Sequence, residues 1–192
     1  MISNKRELKE YIREDKKVYV DYIKKSFKSS VVLQVTGDHI IKLKKYVILL
    51  RKSSYYKNRY NKGNKLAMFL YVFWTRKLNR LGNKLGIYIS PNADIGKGLL
   101  LFHHGEIIIN GNAKIGTHCS IHGNCCIGNK GSNDEAPVLG NYVDIGFGTI
   151  IIGGVNVGDN VIIGAGSIVT HNFRDGVTIA GSPAKEIVKN GK

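Results

Sequence analysis

The 192-residue chain is poor in proline and cysteine, with three of each, and has one tryptophan and only 14 acidic residues against 29 lysines and arginines. Each shortage excludes something. Three cysteines, two of them adjacent at Cys125 and Cys126, do not make a disulfide framework; they fit free thiols in a reducing compartment. No apolar run approaches the roughly 18 residues that a membrane-crossing helix needs. The longest, Leu66 to Trp74, has nine residues and is closed by Thr75, Arg76 and Lys77. The opening MISNKRELKEYIREDKK is too polar for a secretory leader, so a cytoplasmic chain is expected. With 43% apolar residues, wholesale disorder is excluded.

The formal net charge of +15 first suggests nucleic acid, but it is unevenly placed. Residues 1–86 hold 22 basic and 6 acidic residues, no proline, and four glycines, two of them at the exit (Gly82 and Gly86). Residues 87–192 hold 7 basic and 8 acidic residues, all three prolines and the remaining glycines. Two domains follow: a basic helical segment over 1–86 and a nearly neutral, glycine-rich segment over 87–192.

In the first segment Leu8, Tyr11, Ile12, Tyr19, Tyr22, Ile23 and Phe27 recur at helical spacing. Asp38 is placed to cap a second helix carrying Ile40, Ile41, Leu43, Val47, Ile48 and Leu50. Asn64 is placed to cap a third, with Leu66, Phe69, Leu70, Phe73, Trp74, Leu78 and Leu81 on one face and Gly82 at the stop. No groove-reading motif accompanies the lysines, so no nucleic-acid partner is expected. The aromatic and basic residues within 39–82 suit an anionic membrane surface, or packing with the cations left in solvent.

The second segment has a period of six. From Ile109 onward, Ile115, Ile121, Ile127, Leu139, Ile145, Ile151, Val157, Ile163 and Val169 keep step, and only Asn133, inside GNKGSNDEAP, breaks the series. Gly116, Gly128, Gly140, Gly146, Gly158 and Gly164 follow these aliphatics, and four positions on come small or β-branched residues such as Ala113, Cys119, Cys125, Val143 and Thr149. A hexad repeat predicts a parallel β-helix, three hexads to a coil, with the aliphatic and the small residue pointing inward. Cys119 and Cys125 are therefore core residues. Gly146-Phe147-Gly148 and Gly164-Ala165-Gly166 sit on this register with no helix pattern after them, which argues against dinucleotide loops. The hexads starting at Ile95 and Leu101 are two out of phase with those from Ile109, so a two-residue insertion is expected at about 103–108. Such an interruption makes a bulge, a place where functional groups are displayed.

The hexads, HHGEIIINGNAKIG, the GNKGSNDEAPVLG stretch and the closing IAGSPAKEIV together resemble the hexapeptide-repeat acyltransferases. Within them the chain is most similar to serine acetyltransferase-like O-acetyltransferases of capsule and surface-polysaccharide pathways. The resemblance implies a left-handed parallel β-helix, a homotrimer with active sites between subunits, and acetyl-CoA as donor with no metal. It also implies a sugar, sugar-nucleotide or lipid-linked sugar as acceptor. In the family a histidine on an early coil takes the proton of the acceptor hydroxyl; here His103-His104-Gly105-Glu106 opens the matching segment, so His103 takes the base position and His104 competes by adjacency. A neutral imidazole suits that work at physiological pH. Glu106, His122 and Asn124 are candidate catalytic or substrate-binding neighbours. By motif match the donor contacts are Gly146, Gly148, Gly164, Ala165, Gly166, Ala180, Gly181, Pro183, Ala184 and Lys185, the lysine toward a phosphate.

Two departures stand out. Serine acetyltransferases proper carry an aspartate fifteen residues before the base, where this chain has Tyr88, and an Arg-His-Pro where it has Glu135-Ala136-Pro137. Serine O-acetylation, as in cysteine biosynthesis, is therefore the alternative reading. Readings of other classes are a trimeric scaffold and a γ-carbonic-anhydrase-like zinc enzyme. The zinc reading needs His-x4-His, and the residue that distance before His122 is Thr117, with His118 one off, which on β-structure is another face.

Overall fold

The computed structural model describes residues 2–25, 30–131 and 135–187; Phe27 and Asn133 lie outside them. Four helices precede fifteen short strands: α1 (Lys5–Lys25), α2 (Ser30–Val35), α3 (His39–Asn61) and α4 (Lys65–Leu85). Asp38 caps α3 by accepting from Ile40 N at 2.9 Å, and Asn64 caps α4 by accepting from Ala67 N at 3.1 Å. The expected stop at Gly82 moves. Gly82 is buried inside α4, where a Cβ would come within 2.4 Å of Ile87 O and 3.1 Å of the Tyr46 ring. The helix ends instead at Gly86, whose φ of 68° is the left-handed conformation that glycine adopts freely.

The strands form three parallel sheets wound as a left-handed β-helix of about four turns. The first sheet stacks β1 (Ile87–Ile89), β4 (Ile107–Ile109), β7 (Cys126–Gly128), β10 (Ile150–Ile152) and β13 (Ile168–Val169). The second stacks β2 (Asp94–Ile95), β5 (Lys114–Ile115), β8 (Val138–Leu139) and β11 (Asn156–Val157). The third stacks β3 (Leu100–Leu101), β6 (Ser120–Ile121), β9 (Asp144–Ile145), β12 (Ile162–Ile163) and β14 (Thr178–Gly181), and β15 (Ala184–Glu186) closes it as an antiparallel hairpin. Every aliphatic of the hexad series from Ile109 to Val169, the undescribed step at Asn133 aside, is buried, and so are Cys119, Cys125, Thr149 and Ser167 between them. Burial pushes the Cys119 thiol up to about 11, which makes it a packing group rather than a nucleophile.

The pairings fix where the repeat is interrupted. Ile89 pairs with Ile109 and Leu101 with Ile121, twenty residues on, which confirms the two-residue insertion in the first coil. Ile109 to Ile127 is eighteen, but Ile115 pairs with Leu139, twenty-four on. Six extra residues leave between β7 and β8, and because six is one period the register resumes unchanged. Along one corner, a Cβ on Gly96, Gly116 or Gly140 would lie under 3 Å from the backbone of the next coil, so this column is glycine for close approach.

An open solenoid end exposes a row of unpaired backbone groups, a liability that needs a cap. The helices supply it with side chains. Tyr46 Oη accepts from Ile89 N (3.1 Å) and donates to Ile87 O (3.4 Å), and Tyr19 Oη does the same for Leu101 (3.1 and 3.5 Å). Burial raises both phenols, Tyr46 to about 12, so each keeps the proton that it donates. Asp15 accepts from Gly98 N and Leu99 N, while Arg51 holds Asp15 at 2.8 Å and donates to Ile95 O and Gly96 O, both at 2.6 Å. Asp15 and Arg51 are 1% and 3% exposed, so a charge pair is buried with its hydrogen-bonding capacity used. Helices and coils share one apolar core running from Tyr19 to Ala184.

Candidate active site

The site lies on the corner that follows the third sheet. Each strand of that sheet ends in a turn, and the turns stack: Phe102-His103-His104 over His122-Gly123-Asn124, then Gly146-Phe147-Gly148, then Gly164-Ala165-Gly166, then the hairpin from Ala180 to Lys185. The candidate residues picked from the sequence therefore share one edge of the prism. At the usual coil spacing the edge from His103 to the hairpin is about 19 Å long.

His103 is exposed at the head of this edge, beside the two-residue bulge. A Cβ placed on Gly123 would sit 3.4 Å from His103 Cβ and 3.1 Å from the Phe147 ring, so glycine one coil below leaves the imidazole room. His122 does not lie directly under His103. Its ring stacks on Phe102 with centroids 4.3 Å apart, because Leu101 and Ile121 are the paired residues and the turns run in step from there. His122 Nε2 lies 2.9 Å from Asp144 Oδ1 on the next coil. His104, Glu106 and Asn124 are exposed, and Asn124 Oδ1 is tucked against Gly105, where a Cβ would meet it at 2.7 Å.

One member of the cluster comes from the helices. His39, the first residue of α3, stacks on His103 with centroids 5.7 Å apart and planes 19° apart, and lies equally far from His104. Its Nε2 is 3.2 Å from Phe102 O and its Nδ1 is 3.2 Å from Asp38 Oδ1. Sequence reading missed His39, since a histidine beside a helix cap carries no sign of which coil it will meet. Asp144 was within reach: laying the hexads out as coils puts it one level below the His122 strand.

The His103 pKa lies below the ordinary histidine value, first through lost hydration and then through the charges of His39, His122 and His104. The imidazole is thereby held neutral, with a lone pair available at physiological pH. Further down, the amides of Gly146, Gly148, Gly164 and Gly166 donate to Ile163, Gly123, Ile179 and Phe147 carbonyls. Those four N–H groups are spent inside the solenoid. Ala165, Gly181, Pro183 and Lys185 are exposed along the same edge, with Ala180 half-buried and Ala184 buried. His118 stacks on Tyr142, away from His122. Among the described residues no three His, Cys, Asp or Glu converge as metal ligands.

Comparison with known proteins agrees on one family. No protein-family model matches the chain. It is 36% identical over 123 residues to the serine acetyltransferase of Helicobacter pylori, covering 62% of this chain and 72% of that one. It is 34% identical over 119 residues to the serine acetyltransferase of Synechococcus elongatus, covering 60% of this chain and about half (49%) of the relative. The crystal structure of Neisseria gonorrhoeae serine acetyltransferase superposes with a TM-score of 0.70 at 27% identity, covering 97% of this chain and 67% of that one. A serine acetyltransferase complex with CoA superposes with a TM-score of 0.62 at 27% identity, over 76% of this chain and 57% of that one.

Proposed function

The chain belongs to the serine acetyltransferase family, and from that premise we propose that it transfers acetyl from acetyl-CoA to a hydroxyl, with His103 as general base. The observation that carries the reading is His103 itself: exposed at the head of the edge, and held neutral by its surroundings. The acceptor oxygen attacks the thioester carbonyl carbon as His103 Nε2 or Nδ1 takes its proton. The tetrahedral oxyanion collapses with loss of the C–S bond, and the proton returns to the departing thiolate. Acetyl-CoA, a co-substrate, lies along the stacked turns with its phosphates toward Lys185. His39 holds the base in place from the helical side.

The working unit is a trimer. The six-residue insertion leaves after β7, at a different corner of the solenoid from His103. That placement supports sites shared between subunits.

The first acceptor to test is L-serine, since the relatives are named for it; the surface-polysaccharide sugar suggested by the resemblance has no support among them. One observation favours a second reading. Glu135-Ala136-Pro137 stands where serine acetyltransferases proper carry Arg-His-Pro, which suits a different hydroxyl. Thiol release from acetyl-CoA, measured against serine, sugars and sugar nucleotides, decides between them. His103→Ala should lower the rate by about 10²–10⁴-fold while CoA binding persists; an undiminished rate would remove the assignment.

A further inference from the structure

Away from the histidines, α3 and α4 enclose an open groove of about 720 Å³ whose charged lining is of one sign. Lys44, Lys45 and Lys52 reach it from α3, and Lys77, Arg80 and Lys84 from α4; no carboxylate lines it, and none of the six is ion-paired among the described residues. The floor is Trp74. Its indole Nε1 is buried without a hydrogen-bond partner among the described residues, and Lys52 and Lys77 Nζ stand 4.0 and 5.4 Å from the ring centroid. Six cations without a carboxylate partner among the described residues, beside an indole N–H that lacks an acceptor among them, call for an anion.

The same helix says which kind. Leu66, Phe69, Leu70 and Phe73 follow one another at i, i+3, i+4 and i+7 and are all exposed, Phe69 at 69%. Continued along α4, this stripe becomes Lys77, Arg80 and Lys84. Two apolar turns leading into a cationic groove match the boundary of an anionic bilayer, where phosphates meet acyl chains. A soluble phosphate would explain the groove but leave the apolar stripe in water.

We propose that the α3–α4 face is a docking site for an anionic phospholipid surface, with headgroup phosphates in the Lys52–Trp74–Arg80 groove and Phe69 and Phe73 in the interfacial layer. The proposal goes beyond acetyl transfer and does not depend on it. It also assigns a role to the charge of residues 1–86. The groove begins within two turns of His39, so docking would hold the site's helical side close to the membrane.

The test uses the full chain with vesicles of phosphatidylglycerol or phosphatidylcholine. Trp74, the only tryptophan, reports from inside the groove. Expected are co-sedimentation with phosphatidylglycerol vesicles only, reversal by high salt, and a blue shift of the Trp74 emission. Each surface cation contributes about fivefold to such binding, so Lys52→Gln, Lys77→Gln and Arg80→Gln combined should weaken it about a hundredfold. Phe69→Ser with Phe73→Ser should also weaken it, and thiol-release rates on soluble acceptors should stay unchanged in both variants. Equal binding to both vesicle types, or none, overturns the proposal. So does a Trp74 response to inorganic pyrophosphate without vesicle binding, which would make the groove a soluble-phosphate site. A change of oligomeric state in the Phe69/Phe73 variant without vesicle binding would make the face a contact between copies, and overturns it equally.

Discussion

The coils and the helices of this protein are held together by different means, although they share one core. In the coils each rung repeats the last: Ile121 lies on Ile145 and Ile145 on Ile163, and the contacts made at one level are remade at the next. In the helices nothing repeats. Tyr19, Tyr46, Asp15 and Arg51 each make one set of bonds to one stretch of the first coil. A repetitive stack spreads its stability over many equivalent contacts, whereas a cap concentrates it in a few polar groups that have no substitutes. The proposed active-site cluster sits where the two meet, with His103 from the first coil and His39 from α3.

That contrast can be broken at graded depths. Arg51→Met leaves the Asp15 carboxylate buried and unpaired against the first coil, and should cost about 3–5 kcal/mol in denaturant unfolding. If the cap and coils are as interdependent as their common core implies, a single transition is lost rather than the helices alone. Gly82→Ala drives a methyl toward Ile87 O and should cost about 1–3 kcal/mol in the same assay, although alanine is the better helix former. Ile127→Val, in the middle of the stack, should cost about 0.5–1.5 kcal/mol, as contact is lost only to the adjacent rungs. The smallest effect is a shift in pH dependence. With neutral His103 as the proposed base and its pKa lowered, the acid limb of kcat/KM should lie below the ordinary histidine value. His39→Ala removes one of the cationic neighbours, and should move that limb upward while leaving its high-pH plateau intact. A limb that stays in place would separate His39 from the base.

Much of this architecture was legible in the chain. The hexads specified the solenoid, its inward residues and the insertion beside His103, because each rung depends on its own six residues and the rungs directly above and below. The caps at Asp38 and Asn64 were legible for the same local reason. The stop at Gly82 was misread: propensity marks glycine as an end signal, but here close packing against Tyr46 and Ile87 requires it inside the helix. That Phe102 is the ring stacked on His122 was not legible, since that partner depends on which turns stack. The break at Asn133 left the six-residue phase intact because an insertion of one full period does not shift it.

The periodicity of residues 87–192 determined the fold, the buried ladder and the insertion beside His103, since these follow from spacing along the chain. Tertiary structure alone decided what the basic segment does with its residues. It sends Tyr19, Tyr46, Asp15 and Arg51 to the open end of the solenoid, His39 to the edge that carries His103 and six cations to one groove. These partners are 41 to 84 positions apart or lie on facing helices, where no local pattern records them, and only the packing of helix on coil brings them together.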